Sequence, residues 1–381
     1  MEKITVIQSK YEILNGRSGY FRISSGGRIG IIDAEGNCLV APKYDDVLIS
    51  PDDSPAEMFV CKHRDSSSGE SAQLFDLIYP DGELVSANCE GDCIGFREEL
   101  AVVKTRFGIH VRDENNHIKF FIDGTQLNGP SYNALYHDGM LRVTNSLGFY
   151  SYYVNRDGKK KSRSYMHASD FSNERAVASV ERPWLMKYQY GALDANGFWA
   201  VNPKYDYMHS FSNKLAVVKK KGKYGYVNQM GRVEIPLVWD DAWDFGRDGH
   251  AFVKSSYPPS SCLIAKDGNV FLQLPNDCEY ARSFSDGMLA AMRDKKWGFI
   301  ASDGSWLIPP LYDTVGDFSS GVAPVQQGKE WFFIDKNGET VLKIEGELRI
   351  AATGLAHTDR NIYNYGYKLP CFKKRKEEFD I

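Results

Sequence analysis

The chain has 381 residues, a formal net charge of -4, and 43% hydrophobic and 13% aromatic residues. A balance this close to neutral lacks the basic surplus of a nucleic-acid binder, so nucleic acid is not an expected partner. Residues 1–10 lack the apolar core of roughly 7–15 residues that a signal peptide carries. No run approaches the roughly 18 apolar residues of a membrane helix. The expected location is the cytoplasm, with no membrane partner.

The seven cysteines are odd in number and irregularly spaced, unlike a disulfide framework. Cys89 and Cys93 form a lone CxxxC with no second pair at zinc spacing. The expectation is reduced, mostly buried thiols, with no metal and no cofactor.

Read in chain order, one pattern returns. Gly30 opens the first copy, with a turn glycine at 36 and an aspartate at 45. Residues 96–103 and 136–143 carry two copies of a closing segment, led by Phe96 and Tyr136. Phe171 leads another. Gly191 then opens a copy with Gly197 and Asp206, closing at Phe211. Gly225 follows with Gly231, Asp240 and Phe245. Phe284 leads a further closing segment. Trp297 and Gly298 open the clearest copy, continuing through Gly304, Asp313 and Phe318. A last half-copy begins at Trp331. One step separates the first glycine from the turn glycine in all four strong copies (30 to 36, 191 to 197, 225 to 231, 298 to 304). A second, longer step separates it from the aspartate (30 to 45, 191 to 206, 225 to 240, 298 to 313). Two fixed offsets in four copies mark a real repeat of roughly 34–40 residues, about eight times over.

Each position has a physical reading. Residues 297–300 are an expected strand. Asp303-Gly304 is a hairpin signal, because glycine takes positive φ without a Cβ clash. The next strand is expected to stop at Pro309, which donates no ladder hydrogen bond. Asp313 begins a turn, Phe318 plugs the gap to the next unit, and residues 321–325 form a third strand. Gly298 lets a neighbouring backbone or ring lie close. The predicted fold is therefore all-β: a tandem array of three-stranded antiparallel units, open and curved like a solenoid. The alternative is a closed, propeller-like ring, since the chain begins and ends mid-unit. Residues 1–19 and 343–381 are expected to be caps around a repeat region at 20–342, the second with a charged tail.

The run Trp-Gly-Phe-Ile, Asp-Gly, Ile-Pro-Pro, Tyr-Asp, Phe-Ser-x-Gly-x-Ala-x-Val at 297–325 resembles the WG (KWG) repeat family of bacterial proteins. Only Trp297 keeps the Trp-Gly pair; Ile29, Phe107, Leu147, Tyr190 and Tyr224 stand elsewhere in the tryptophan's place. The resemblance implies a β-rich scaffold for protein interaction. Family analogy adds a sharper version, a cytoplasmic immunity protein that neutralises a toxin by binding it.

No GxSxG elbow, HExxH, P-loop or GxGxxG is present. Eight histidines are scattered and none is paired at metal spacing. The recurrent Asp45, Asp206, Asp240 and Asp313 are read as turn caps rather than catalysts, since equivalent positions cannot all be one active site. Acidic stretches at Asp45-Asp46, Asp52-Asp53 and Asp240–Asp244 could face a basic partner. Basic runs lie at 159–163, 219–223 and 373–376. The leading function is a non-catalytic, monomeric protein-binding scaffold with an unassigned binding face. The alternatives are a glycan- or wall-binding module, with Trp184, Trp199, Trp243 and Trp306 stacking on sugars, and an unrecognised enzyme.

Overall fold

The computed structural model describes residues 4–49, 57–64, 73–105, 108–123, 135–144, 150–182, 187–352 and 354–366. Phe107, Leu147, Trp184, Asp52, Asp53, Cys371 and the basic run at 373–376 lie outside these. The described residues form strands and turns, and no helix among them is long and apolar enough to cross a membrane.

Among the described residues, the strands make ten antiparallel sheets, nine with four strands and one with three. The chain completes one sheet before starting the next. We number these blades 1 to 10, with strands one to four in each. Blade 1 runs from Glu12–Arg17 to Cys38–Tyr44, blade 2 from Asp46–Leu48 to Leu84–Glu90, and blade 3 from Asp92–Arg97 to Ile118–Asp123. Blade 4 runs from Tyr136–His137 to Tyr165–Met166, blade 8 from Tyr280–Ser285 to Trp306–Tyr312, and blade 9 from Thr314–Val315 to Thr340–Ile344. The three-stranded blade 5 holds Ala176–Arg182, Lys187–Leu193 and Trp199–Tyr205, with no first strand among the described residues.

Blade 10 closes the ring. Its first three strands are Arg349–Ala352, Leu355–His357 and Asn361–Asn364, and its fourth is Thr5–Gln8 from the opposite end of the chain. Thr5 pairs with Asn364 and Gln8 with Asn361. The core confirms closure. It falls into ten apolar clusters, one at each junction between consecutive blades. One of these packs Ile13, Phe21 and Ile32 of blade 1 on Leu355 and Ile362 of blade 10.

This corrects the open array of three-stranded units and matches the ring alternative. The reason is twofold. The residues taken as caps hold the missing strands of a tenth blade, and the turn after Asp313 hides a short strand, Thr314–Val315. Closure leaves only short, protected edges. The strand expected to stop at Pro309 instead runs on to Tyr312. Proline is tolerated there because the fourth strand is the outer edge and needs no donor outward.

The sequence repeat and the blade are out of phase. A copy opened by Gly225 supplies strands three and four of blade 6, Lys223–Asn228 and Val233–Trp239. It then supplies strands one and two of blade 7, Asp241–Ala242 and Ala251–Ser256. Each copy is thus a staple across one blade junction.

Candidate functional site

The repeat residues build the junctions, and what they leave over is the candidate surface. Gly30, Gly191, Gly225 and Gly298 all sit mid-way along a third strand. A Cβ on Gly298 would stand 2.5 Å from the Ile308 carbonyl oxygen, and one on Gly225 2.6 Å from that of Ile235; Gly30 and Gly191 are as crowded. What lies close is a bulge of the fourth strand. Trp297 pairs with Tyr312 and Phe299 with Ile308, so two extra residues are looped out on the fourth-strand side. The same two-residue excess recurs opposite Gly30, Gly191 and Gly225. Pro42, Pro203, Pro236 and Pro309 sit in these bulges. Each bulge turns the next aromatic inward, burying Tyr44, Tyr205 and Tyr312 at the junction.

The aspartate that follows is a clip between blades. Asp313 accepts from Lys296 Nζ of blade 8 at 2.5 Å and from the Gly328 backbone N–H of blade 9 at 2.8 Å. Asp240 takes Lys223 and the Ser256 N–H (2.7 Å) in the same way. Asp206 accepts from the Lys221 N–H at 2.8 Å with Lys187 at 3.9 Å, and Asp45 pairs with Arg28. Lys296, and then the Gly328 N–H, hold the Asp313 carboxyl below its ordinary value; Lys223 and Ser256 do the same for Asp240. Their cationic partners went unread in the sequence, although Arg28, Lys223 and Lys296 each precede the aspartate by one constant step (28 to 45, 223 to 240, 296 to 313).

Phe211, Phe245 and Phe318 are buried where one blade meets the next; Phe318 lies edge-on to Phe299, ring centroids 4.6 Å apart. The serine after the phenylalanine continues the chain of contacts. Ser172, Ser212 and Ser285 donate to the carbonyls of Phe211, Phe245 and Phe318 of the next blade at 2.7–2.8 Å.

These contacts consume the groups that looked most like chemistry. Asp46 pairs with Arg22 and Asp244 with His209 (3.0 Å), so each of these carboxylates, although partly exposed, has a partner on the preceding blade. His63 and Tyr44 both meet Asp76, at 3.1 and 2.7 Å, and Asp76 also accepts from the Asn88 N–H at 2.8 Å. Burial alone would raise the Asp76 carboxyl; Asn88, Tyr44 and His63 outweigh it and hold it low. Trp199, Trp243 and Trp306 are half-buried in junction clusters, which leaves them poorly placed as sugar platforms. Cys61, Cys89, Cys93, Cys262 and Cys278 are buried free thiols, and burial pushes Cys278 up to about 11. No group of three metal-ligating side chains occurs among the described residues.

Exposed apolar side chains lie on the outer fourth strands and at both hairpin ends; one group sits at the end of the ring that carries the hairpins between strands two and three. There, Tyr257 is 92% exposed at the tip of the blade 7 hairpin. Tyr207 is 45% exposed and pairs across strands with Lys219, beside the blade 6 hairpin of Lys220, Lys221 and Lys223. Asp240 bridges the two hairpins. A line of rings continues towards blade 5: Tyr207 meets Tyr190 at 5.6 Å, and His167 meets both Tyr190 (6.1 Å) and Tyr188 (4.5 Å). Beyond Tyr188, a groove of 480 Å³ opens between blades 4 and 5.

The model of the WG containing repeat family matches residues 190–224, 224–255 and 297–331. Residues 190–331 carry WG repeats. Each match begins on a third strand and ends on the second strand of the following blade or at the start of its third, so the WG repeat is the staple and not the blade. Among solved structures, a eukaryotic initiation factor is 12% identical over 92% of this chain and 100% of that chain, with a TM-score of 0.50. A streptogramin B lyase is 12% identical over 60% of this chain and 90% of that one, with a TM-score of 0.32. The WD40 domain of SCAP from fission yeast is 9% identical over 96% and 99%, also with a TM-score of 0.32. The first of these supports the β-propeller fold. No curated protein matches the sequence.

Proposed function

We propose that this WG-repeat propeller is a non-catalytic, monomeric protein-binding scaffold of the cytoplasm. It docks its partner on the hairpin end of blades 5 to 7. The observation that carries the reading is Tyr257, 92% exposed beside the lysines of the neighbouring hairpin. An amphipathic ring held in water with cations around it is the usual make-up of an interface anchor. The commitment of Asp45, Asp206, Asp240, Asp313 and His209 to junction contacts supports the absence of catalysis. Buried, neutral thiols suit a reducing compartment.

The test is capture of partners by the full chain, identification, and pairwise calorimetry. Tyr207→Ala with Tyr257→Ala should weaken the identified partner roughly tenfold or more, the cost of one or two anchors, with an unchanged melting temperature. An unchanged affinity would show that this face is not the docking face. The narrower reading, neutralisation of a toxin by occupying its active site, rests on family analogy. It requires the captured partner to be an enzyme that loses activity on one-to-one binding.

A further inference from the structure

The clip at the other junctions defines what blade 5 lacks. At the junction of blades 8 and 9, Asp313 precedes Phe318 by the same step (313 to 318) as Asp206 precedes Phe211 at the junction of blades 5 and 6 (206 to 211). The N–H that the aspartate caps follows the phenylalanine by a second fixed step, at Gly328 (318 to 328) and at Lys221 (211 to 221). At the junction of blades 4 and 5 the landmark is Phe171, and the equivalent N–H is that of Glu181 (171 to 181). The aspartate's place falls to His167, one position too close to Phe171. The cation's place, earlier by the step that separates Lys296 from Asp313, falls to Tyr150 (150 to 167). Both halves of the clip are replaced.

The geometry follows from that exchange. The missing residue leaves His167 at φ +50, with its ring against Tyr188 and its Nδ1 3.2 Å from Ser179 Oγ. No first strand covers the second strand of blade 5, Ala176–Arg182, among the described residues. Residues 166–169 keep part of the ladder, as His209 does in blade 6. The Ser169 N–H donates to the Val177 carbonyl at 2.9 Å, the Val177 N–H donates to Ser169 Oγ at 3.0 Å, and Ser179 Oγ donates to the Met166 carbonyl at 2.6 Å. Outward of Ser179 this pairing ends. Antiparallel alternation turns the backbone N–H and C=O of Glu181 away from the third strand, to the side the groove occupies. That groove is lined by Arg163, Arg182, Glu181, Tyr150, Tyr188 and Trp199. Two guanidinium groups face it against one carboxylate.

We propose that this groove binds an acidic peptide in extended conformation, its backbone paired with the outward-facing Glu181 position of the second strand. One peptide carboxylate takes the position that Asp313 and Asp240 take at their junctions. This deepens the protein-binding reading and rests on it. Main-chain hydrogen bonds to the outward N–H and C=O of Glu181 set the peptide's register without sequence preference. Arg163, over the Tyr165 ring, and Arg182, whose Nε donates to Gln189 Oε1 at 3.0 Å, supply the selectivity for carboxylates through their remaining N–H donors. The aromatic walls shield those contacts from water.

The test uses the full chain and fluorescence anisotropy. The probes are a fluorescein-labelled peptide of alternating Glu and Val, its Gln-Val counterpart, and an oligouridine RNA of equal length. The Glu peptide should bind, and the Gln peptide should bind roughly tenfold or more weakly, the scale of one lost charge-assisted contact. Arg163→Glu with Arg182→Glu should lose binding to the same degree. So should His167→Asp with Tyr150→Lys, which restores the clip found elsewhere in the ring and keeps the fold, checked by an unchanged melting temperature. Equal binding of the two peptides overturns the proposal, as does indifference to both double variants, or RNA binding that the Glu peptide cannot displace. The Tyr207/Tyr257 double variant separates the two readings. If it loses its protein partner and still binds the Glu peptide, the groove stands independently of the docking face. If the wild-type chain captures a partner on that face and ignores the Glu peptide, only the groove proposal falls.

Discussion

Two kinds of blade in the ring differ at one third-strand position. In blades 1, 5, 6 and 8 that position is glycine, and the fourth strand opposite it carries a two-residue bulge with a proline. In blades 3, 7 and 9 the position at the same step before the turn residue (110 to 116, 262 to 268, 332 to 338) is His110, Cys262 or Phe332. There the fourth strand pairs straight through: His110 with Phe121, Cys262 with Gln273, Phe332 with Lys343. A side chain and a bulge compete for one space. Blade 2 is intermediate. Asp76 takes the glycine's place, the bulge shrinks to one extra residue, and Asn88, at φ +53, turns its N–H onto the Asp76 carboxylate. The glycine of the repeat is therefore not a flexible joint. It is the volume into which the neighbouring backbone folds, so that an aromatic and an aspartate reach the next blade.

Breaking that volume should have the largest effect. Gly298→Val places a branched side chain against backbone, which cannot swing aside as a side-chain tip can. The expected loss is about 3 kcal/mol, the upper range for overpacking. It should be seen as a lower denaturation midpoint and as faster hydrogen exchange across Trp306–Tyr312. The same-site change in a straight blade, Cys262→Ala, should cost only about 1 kcal/mol, close to one buried methylene. Similar losses in the two would refute the distinction.

Asp76→Asn should rank next, at about 1–3 kcal/mol, because it unbalances a buried set of partners. Its signature is pH. The Asp76 carboxyl is depressed in the folded state. Its stabilisation is therefore present above the ordinary carboxylate value and lost as pH falls through the folded one. The variant's melting curve should be flatter than that of the wild type in acid, and an identical slope would exclude Asp76 as the cause. Asp313→Asn acts at an exposed clip and should lower the melting temperature less than Asp76→Asn does. The difference from wild type should shrink in high salt. Smallest of all is His209. Its hydrogen bond to Asp244 raises its folded value, so its contribution holds below the ordinary histidine range and fades as pH rises through the folded value. His209→Gln should abolish that small fade; a fade that persists assigns it to another group.

The offsets of Gly30, Gly191, Gly225 and Gly298 are enough to read the repeat, its turns and the inward Phe318 from sequence. They leave closure open, because strand pairing between Thr5 and Asn364 has no local periodicity. Short first strands such as Thr314–Val315 read as turns for a related reason: two residues carry too little alternation. The clip's cations are legible as a constant spacing (28 to 45, 223 to 240, 296 to 313), yet surface lysines in hairpins look merely solvated. The groove shows in the sequence only as degeneracy. His167 in an aspartate's place acquires meaning once its partner is seen to be Ser179 and not the Glu181 N–H.

Ring closure also orders events in time. Thr5–Gln8 leaves the ribosome before any other strand of the ring, yet its partner Asn361–Asn364 is the last of them to be made. Every other strand in a blade has a neighbour within a short stretch of chain. During synthesis the growing chain is therefore an open spiral of finished blades with one waiting strand and one exposed end face. That face stays able to pair with another copy until the final blade arrives. The last step locks the whole circle at once, so a chain halted before residue 361 should aggregate rather than rest as a smaller ring.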